Sequence, residues 1–169
     1  TIPSTITDGG VTYNVTGIGQ YAFLSCTSLT SIDILNSVTI ISTRAFRDCS
    51  SLTSITVDAN NNSFSDINGV LFNKDQSTLI QYPIGKTATS YTIPDSLTTI
   101  SEYAFWGCSG LTSIDLSGTQ VTTIGQYTFY KCSNLETIIN IPDSVTTIGD
   151  RAFHSCSSLE TIDLSGTQV

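Results

Sequence analysis

Large apolar residues recur along this chain in fixed phase, separated by short polar runs. The stretch from Ile100, ISEYAFWGCSGLTSID, shows the unit: I-x-x-x-A-F-x-x-C-x-x-L-x-x-I. Its phenylalanine belongs to the series Phe23, Phe46, Phe105, Phe129 and Phe153. Its cysteine belongs to Cys26, Cys49, Cys108, Cys132 and Cys156, and its leucine to Leu29, Leu52, Leu111, Leu135 and Leu159. Every series steps by 23, 59, 24 and 24 residues. A unit of 23–24 residues cannot bury an apolar face alone, so successive units must stack. The spacing therefore predicts a solenoid.

Within a rung, L-x-x-I-x-[LIV] alternates apolar and polar positions, as in Leu111-Thr112-Ser113-Ile114-Asp115-Leu116, and so reads as a half-buried strand. Stacked copies predict a parallel sheet, with A-F-x-x-C turning back across the other side and its Phe column filling the interior. Gly19, Gly125 and Gly149 are expected at turns, where a positive φ is cheap for glycine. The fold class expected is a β-dominated α/β-type solenoid, a right-handed coil of 23–24-residue rungs with little or no long helix.

The chain divides as follows. Residues 1–17 form a partial rung and a hairpin, Ile2 to Ile6 and Val11 to Val15 about Asp8-Gly9-Gly10. Residues 18–57 hold two regular rungs and 58–99 an atypical one. Residues 100–169 hold three regular rungs, the last incomplete. Two rungs carry an extra residue, one in the turn Ser117-Gly118-Thr119-Gln120 and one as a bulge at Ile139-Asn140-Ile141; elsewhere a one-residue insertion would flip later side chains to the wrong face. In the atypical unit, Val70-Leu71-Phe72 and Leu79 to Tyr82 read as a protruding hairpin, Phe72 replacing the absent ladder Phe. Asn60-Asn61-Asn62 reads as a surface loop. The array opens inside a rung at Thr1 and closes inside one at Val169, which predicts either further repeats in a longer chain or head-to-tail self-association into a filament.

Composition agrees with many short strands. Hydrophobic residues make up 39% and charged residues 12%, methionine is absent, and roughly three residues in ten are Ser or Thr. β-Branched Thr and Ile favour a pleated surface. Six basic against fourteen acidic residues give a net charge of −8, which disfavours nucleic acid and anionic membrane surfaces as partners. No apolar run approaches a membrane span, and with Thr1 opening inside the pattern no signal peptide is expected within these residues. The five cysteines share one phase and are expected as a buried column of free thiols rather than disulfides.

Chemistry finds few candidates, and neither a catalytic residue nor a cofactor or metal is expected. His154 is the sole histidine, so any Ser-His-Asp or Cys-His arrangement would depend on it. It stands at the variable position after the ladder Phe, expected to face solvent. Gly85-Lys86-Thr87 lacks the earlier glycine of a phosphate loop. Asp66-x-Asn68-Gly69 with Asp75 has Phe64 at the first ligand position of an EF-hand loop and reads as a turn. Two surface columns remain. Asp33, Asp115 and Asp163 alternate outward on the strands, either as a partner surface or as a solvated face. Trp106, Tyr130 and His154, flanked by Tyr103, Tyr127 and Arg151, carry the residue types of binding hot spots, or else lie down over the ladder as a shield. Asn14-Val15-Thr16 and Asn61-Asn62-Ser63 match the N-glycosylation triplet.

The run Ile-Gly-x-x-Ala-Phe-x-x-Cys-Ser-x-Leu-x-x-Ile, followed by Pro-x-Ser-Val-Thr-x-Ile, resembles the BspA-like leucine-rich repeats of bacterial and protozoan surface proteins. So does the atypical unit, with Asn-Gly-Val-Leu-Phe-Asn-Lys-Asp and then Leu-Ile-x-Tyr-Pro-x-Gly-Lys. The resemblance covers nearly the whole chain. It implies a secreted or surface-displayed, non-enzymatic protein acting in adhesion, with a protein partner such as a host matrix protein (fibronectin for some members) or another surface protein. It carries over no binding residue.

Overall fold

A computed structural model describes residues 2–169; the start of the array at Thr1 lies outside them. The chain coils into a stack of rungs built from short strands and turns, and no helix occurs among the described residues. Each regular rung contributes two strands rather than one. The L-x-x-I segment supplies the first: β4 (Ser31–Ile34) pairs in parallel with β6 (Ser54–Val57), and β12 (Ser113–Asp115) and β14 (Thr137–Ile139) form a second parallel run whose edge is β10 (Ser90–Thr92) of the atypical unit. The register pairs Ile32 with Ile55 and Ile114 with Ile138, so repeat equivalents are true neighbours. The two-residue pairs ending at the Ile of each I-x-x-x-A-F form another ladder: β3 (Gly17–Ile18) with β5 (Ile40–Ile41), then β11 (Thr99–Ile100), β13 (Thr123–Ile124) and β15 (Thr147–Ile148). Sequence reading anticipated only the first ladder, because two residues are too few to show an alternation.

The hairpin near the start forms as expected, β1 (Thr5–Asp8) antiparallel to β2 (Val11–Asn14). The atypical unit does not protrude. Three antiparallel strands, β7 (Phe64–Ile67), β8 (Val70–Asn73) and β9 (Thr78–Gln81), join the edge of the short-strand ladder through β9 and β11. Val70, Leu71, Phe72 and Leu79 are fully buried. Their side chains close the interior from both directions: Leu71 packs with the first two rungs, and Val70 and Phe72 with the later ones. Leaving this hairpin in water would expose that apolar surface at roughly 25 cal/mol per Å².

The aromatic column is present in two segments. Phe23 stacks on Phe46 at 5.6 Å, and Tyr82, Phe105, Phe129 and Phe153 follow one another at 5.2, 5.1 and 5.4 Å between centroids. Tyr82, not Phe72, takes the missing place. Its amide donates to Ala104 O, as Phe105 donates to Thr128 O and Phe129 to Ala152 O. Phe72 is core but stands outside this stack. Burial raises the Tyr82 phenol to about 12, with the neighbouring Cys108 adding to the shift, and the hydroxyl has no hydrogen-bond partner.

Four thiols are buried and free, while Cys26 is free and exposed. The column does more than fill space. Cys49, Cys132 and Cys156 each donate an S–H to the carbonyl of the ladder Phe one rung earlier, at 3.0 Å. Burial pushes the Cys49 and Cys108 thiols up, which keeps them protonated and able to donate.

Glycine serves a different purpose from the one expected. A Cβ on Gly149 would stand 2.6 Å from Gln126 N, and one on Gly85 2.7 Å from Ser51 C, so here it is rung-to-rung approach that requires glycine. Positive φ falls instead on other glycines, among them Gly118 in the predicted turn, and on non-glycine residues. Asn140 is one of these, with φ 56°. Ile138 points in, Ile139 and Asn140 point out, and Ile141 points in again, so the extra residue restores phase just past the end of β14 rather than as a bulge within its ladder.

Candidate functional site: a ladder of arginines and aromatic rings

Two residues per rung adopt left-handed backbone on the A-F-x-x-C side. One precedes Ala-Phe: Tyr21, Arg44, Tyr103, Tyr127 and Arg151, with φ between 54° and 63°. The other precedes Cys: Ser25, Asp48, Gly107, Lys131 and Ser155, with φ between 56° and 70°. Such φ values are uncommon outside glycine, and their repetition fixes the A-F turn so that side chains before and after Phe project side by side. The outcome is two adjacent columns, Tyr21–Arg44–Tyr103–Tyr127–Arg151 and Leu24–Arg47–Trp106–Tyr130–His154.

Between Arg44 and Tyr103 the atypical rung contributes no A-F-x-x-C segment. Gln81-Tyr82-Pro83-Ile84 cuts straight across, and the arginines span the gap. The Arg44 guanidinium lies 4.3 Å from the Tyr103 ring centre and Arg47 lies 4.3 Å from that of Trp106. Arg44 donates to Tyr21 Oη at 2.6 Å and also to Tyr103 Oη, which holds its pKa above the ordinary arginine value. Arg47 and Asp48 form a 3.4 Å ion pair that lacks hydrogen-bond geometry, and Trp106 Nε1 donates to Asp48 Oδ1 at 3.0 Å. A recess of about 130 Å³ remains under this bridge, lined in part by Ser42, Arg44, Phe46, Gln81 and Glu102.

Beyond the bridge the rings continue. Tyr103 stacks on Tyr127 at 5.1 Å, Trp106 on Tyr130 at 4.2 Å, and Tyr130 on His154 at 5.1 Å. Arg151 donates to Tyr127 Oη at 2.8 Å, and Lys131 Nζ sits 5.7 Å from the Tyr130 ring centre. A recess of about 290 Å³ opens over this surface, walled by Arg44, Arg47 and Arg151 and by the Tyr103, Trp106, Tyr127 and Tyr130 rings.

The six residues of the predicted aromatic column are thus brought together, in altered form. Trp106 and Tyr103, for which the sequence leaves open an exposed anchor or a shield lying over the ladder, are only 7% and 4% exposed, because each ring is sandwiched between its rung neighbours. Tyr127 and Tyr130 are half-buried, and Arg151 and His154 are exposed. His154 Nδ1 lies 2.9 Å from Ser155 Oγ, a contact between adjacent residues on an exposed turn. Arg44 and Arg47 were not singled out in the sequence; their role depends on the short rung, which brings residues 59 apart into contact.

The carboxylate column is less unified. Asp33 contacts the Thr56 hydroxyl. Asp115 accepts from Asn140 Nδ2 and Ser117 N, both at 2.9 Å, and Asp163 accepts from Ser165 N at 2.9 Å; these bonds hold both carboxyls below the usual range. Exposed Ile139 takes the equivalent place in β14, and Asp163 lies outside any strand. Asp66, from the EF-hand-like run, accepts from Val57 N and Gly69 N. Among the described residues no three His, Cys, Asp or Glu side chains gather as a metal site.

Asn14 is exposed on β2. Asn61 is completely buried. Its Nδ2 donates to Leu35 O and Val38 O at 2.7 and 2.9 Å, and its Oδ1 accepts from Ser63 N and Phe64 N at 2.8 Å. With both amide hydrogens engaged inside the protein, Asn61 is a packing residue rather than a glycan acceptor or a surface loop.

The coil of phased rungs, the aromatic spine and the thiol column define a leucine-rich repeat protein. The model of the BspA type leucine rich repeat region matches residues 4–88 and 84–168 in six copies, and the chain belongs to that family. Solved structures agree. The pneumococcal vaccine antigen PcpA is 26% identical with a TM-score of 0.69 over 78% of this chain and 38% of its own length. A leucine rich cell surface protein of Faecalibacterium prausnitzii A2-165 is 31% identical with a TM-score of 0.67, over 88% of this chain and 45% of its own length. The T. pallidum leucine rich repeat protein is 25% identical with a TM-score of 0.57, over 94% and 76%. The chain therefore spans less than half the length of the first two. No curated protein matches it by sequence.

Proposed function

We propose that this chain is a non-enzymatic, extracellular or cell-surface module that mediates adhesion through protein–protein contact, with the arginine–aromatic ladder as its binding face. The observation that carries this reading is the recess of about 290 Å³ over rings and guanidiniums already fixed by one another. Rigid side chains lose little freedom on binding, which is why such surfaces make effective anchors. The family, the description of one similar structure as a cell surface protein and that of another as a vaccine antigen support the setting. The test is binding of the immobilised array to purified matrix proteins, fibronectin included, alongside its sedimentation behaviour across a concentration series. Saturable capture by a monomeric array supports the reading. Growth in size on concentrating, with no capture, would favour a subunit that stacks end to end.

A further inference from the structure

We propose that the arginine–aromatic recess takes a short, extended acidic peptide segment, its carboxylates held by Arg44 and Arg47 at one end and by Arg151 and Lys131 at the other. This rests on reading the recess as the binding face and adds the chemistry of its occupant.

The charge distribution is the first reason. The chain has only six basic residues against fourteen acidic ones, yet four of the six (Arg44, Arg47, Lys131 and Arg151) lie on this one strip. Its neighbouring acids are Asp48, engaged by Trp106 and Arg47, and Glu102 and Asp150 at its margins. Beyond a Debye length of ~8 Å the remaining negative charge is screened, so a ligand in the recess meets mainly these cations.

Donor chemistry is the second. The polar groups of the lining are guanidinium N–H, tyrosine hydroxyl and an indole N–H already bonded to Asp48, a set that suits an acceptor-rich ligand. The ring faces, in contrast, are covered by other rings and by guanidiniums, which leaves no open face for an apolar or sugar group to stack on. Two further donors, Arg44 Nε and Arg47 Nε, make no hydrogen bond, the second having only its 3.4 Å ion pair with Asp48; buried donors are rarely left so. A guanidinium held flat on a ring keeps its planar fork oriented for a carboxylate.

Dimensions decide the length. The cationic ends are joined through contacts of 4.3 Å (Arg44 to Tyr103), 5.1 Å (Tyr103 to Tyr127) and 5.7 Å (Tyr127 to Arg151). At ~3.3 Å per residue, an extended peptide of about five residues reaches from one end to the other.

Trp106 is the only tryptophan and lies in the recess wall, so its emission reports on this site. Hexaglutamate titrated at low salt should change that emission saturably, and the change should vanish at high salt. Lys131→Gln with Arg151→Gln, both exposed and peripheral to the stack, should weaken binding about tenfold. Lys86→Gln, a single charge removed outside the recess lining, should shift it less than about twofold. No saturable change, or equal weakening by Lys86→Gln, overturns the inference. Tighter binding of a sulfated heparin hexasaccharide that displaces hexaglutamate assigns the recess to an anionic glycan and overturns it too. If the array captures a matrix protein that hexaglutamate does not displace, this inference fails while the adhesion reading stands. Hexaglutamate binding without any protein capture supports the inference and sinks the adhesion reading instead.

Discussion

Replacing Asn61 by alanine should be among the most damaging single changes in the chain, although it removes no apolar packing. The side chain bonds Leu35 O and Val38 O in the rung before it and Ser63 N and Phe64 N in its own turn, those to Val38 and Phe64 fully buried. At ~1 kcal/mol net for each of the four bonds, with Val38 O orphaned and Leu35 O left only its bond from Val38 N, the loss is about 3–5 kcal/mol. Urea unfolding followed by circular dichroism should show the midpoint falling with an unchanged slope, while Asn14→Ala on the exposed hairpin moves stability by under ~0.5 kcal/mol. Asn61→Asp sharpens the test. The introduced carboxylate would face two carbonyl oxygens without water, so its folded-state pKa rises above the unfolded value near ~4. A raised carboxyl pKa means stability is greatest below that value and declines as pH climbs through the folded-state pKa. Asn61→Asp should therefore be closer to wild type at pH 4 than at pH 7. A loss under ~1 kcal/mol for Asn61→Ala, or an Asn61→Asp protein relatively weaker in acid, refutes the bonding scheme.

Tyr82→Phe removes a buried hydroxyl without a partner and should stabilise the fold by about 1 kcal/mol in thermal unfolding. Because the Tyr82 phenol is raised to about 12, wild-type stability should hold to about pH 10 as far as this group is concerned and fall between 10 and 12; Tyr82→Phe should blunt that fall. Gly149→Ala places a methyl 2.6 Å from Gln126 N on the adjacent rung and should cost about 2–3 kcal/mol by forcing the rungs apart. Trp106→Ala, at 7% exposure, should lower stability by about 3 kcal/mol on urea titration, since the ring is part of the packed strip.

Much of the fold is legible as identical letters at equal intervals, because a parallel coil turns sequence period directly into spatial neighbourhood. Phe105 and Phe129, or Ile114 and Ile138, are 24 apart in the text and adjacent in space. Legibility fails where the period is met by a different letter. Tyr82 precedes Phe105 by 23 residues, the regular interval, but sits in Gln-Tyr-Pro instead of Ala-Phe, and Phe72 draws attention by residue type alone. It fails again where contact depends on a missing segment. Arg44 meets Tyr103, and Arg47 meets Trp106, only because the rung between them is cut short. Asn61 was hidden by composition, since three successive asparagines read as a loop while only the middle one turns inward.

The claim that equivalent residues stack inside the coil is tested most directly at Phe105, fully buried between Tyr82 and Phe129. The measurement is the unfolding free energy of Phe105→Ala in urea. A loss of about 3–5 kcal/mol is the predicted result, from a cavity opened where two stacked contacts were. A loss under ~1 kcal/mol would mean that the ring is not held inside the coil.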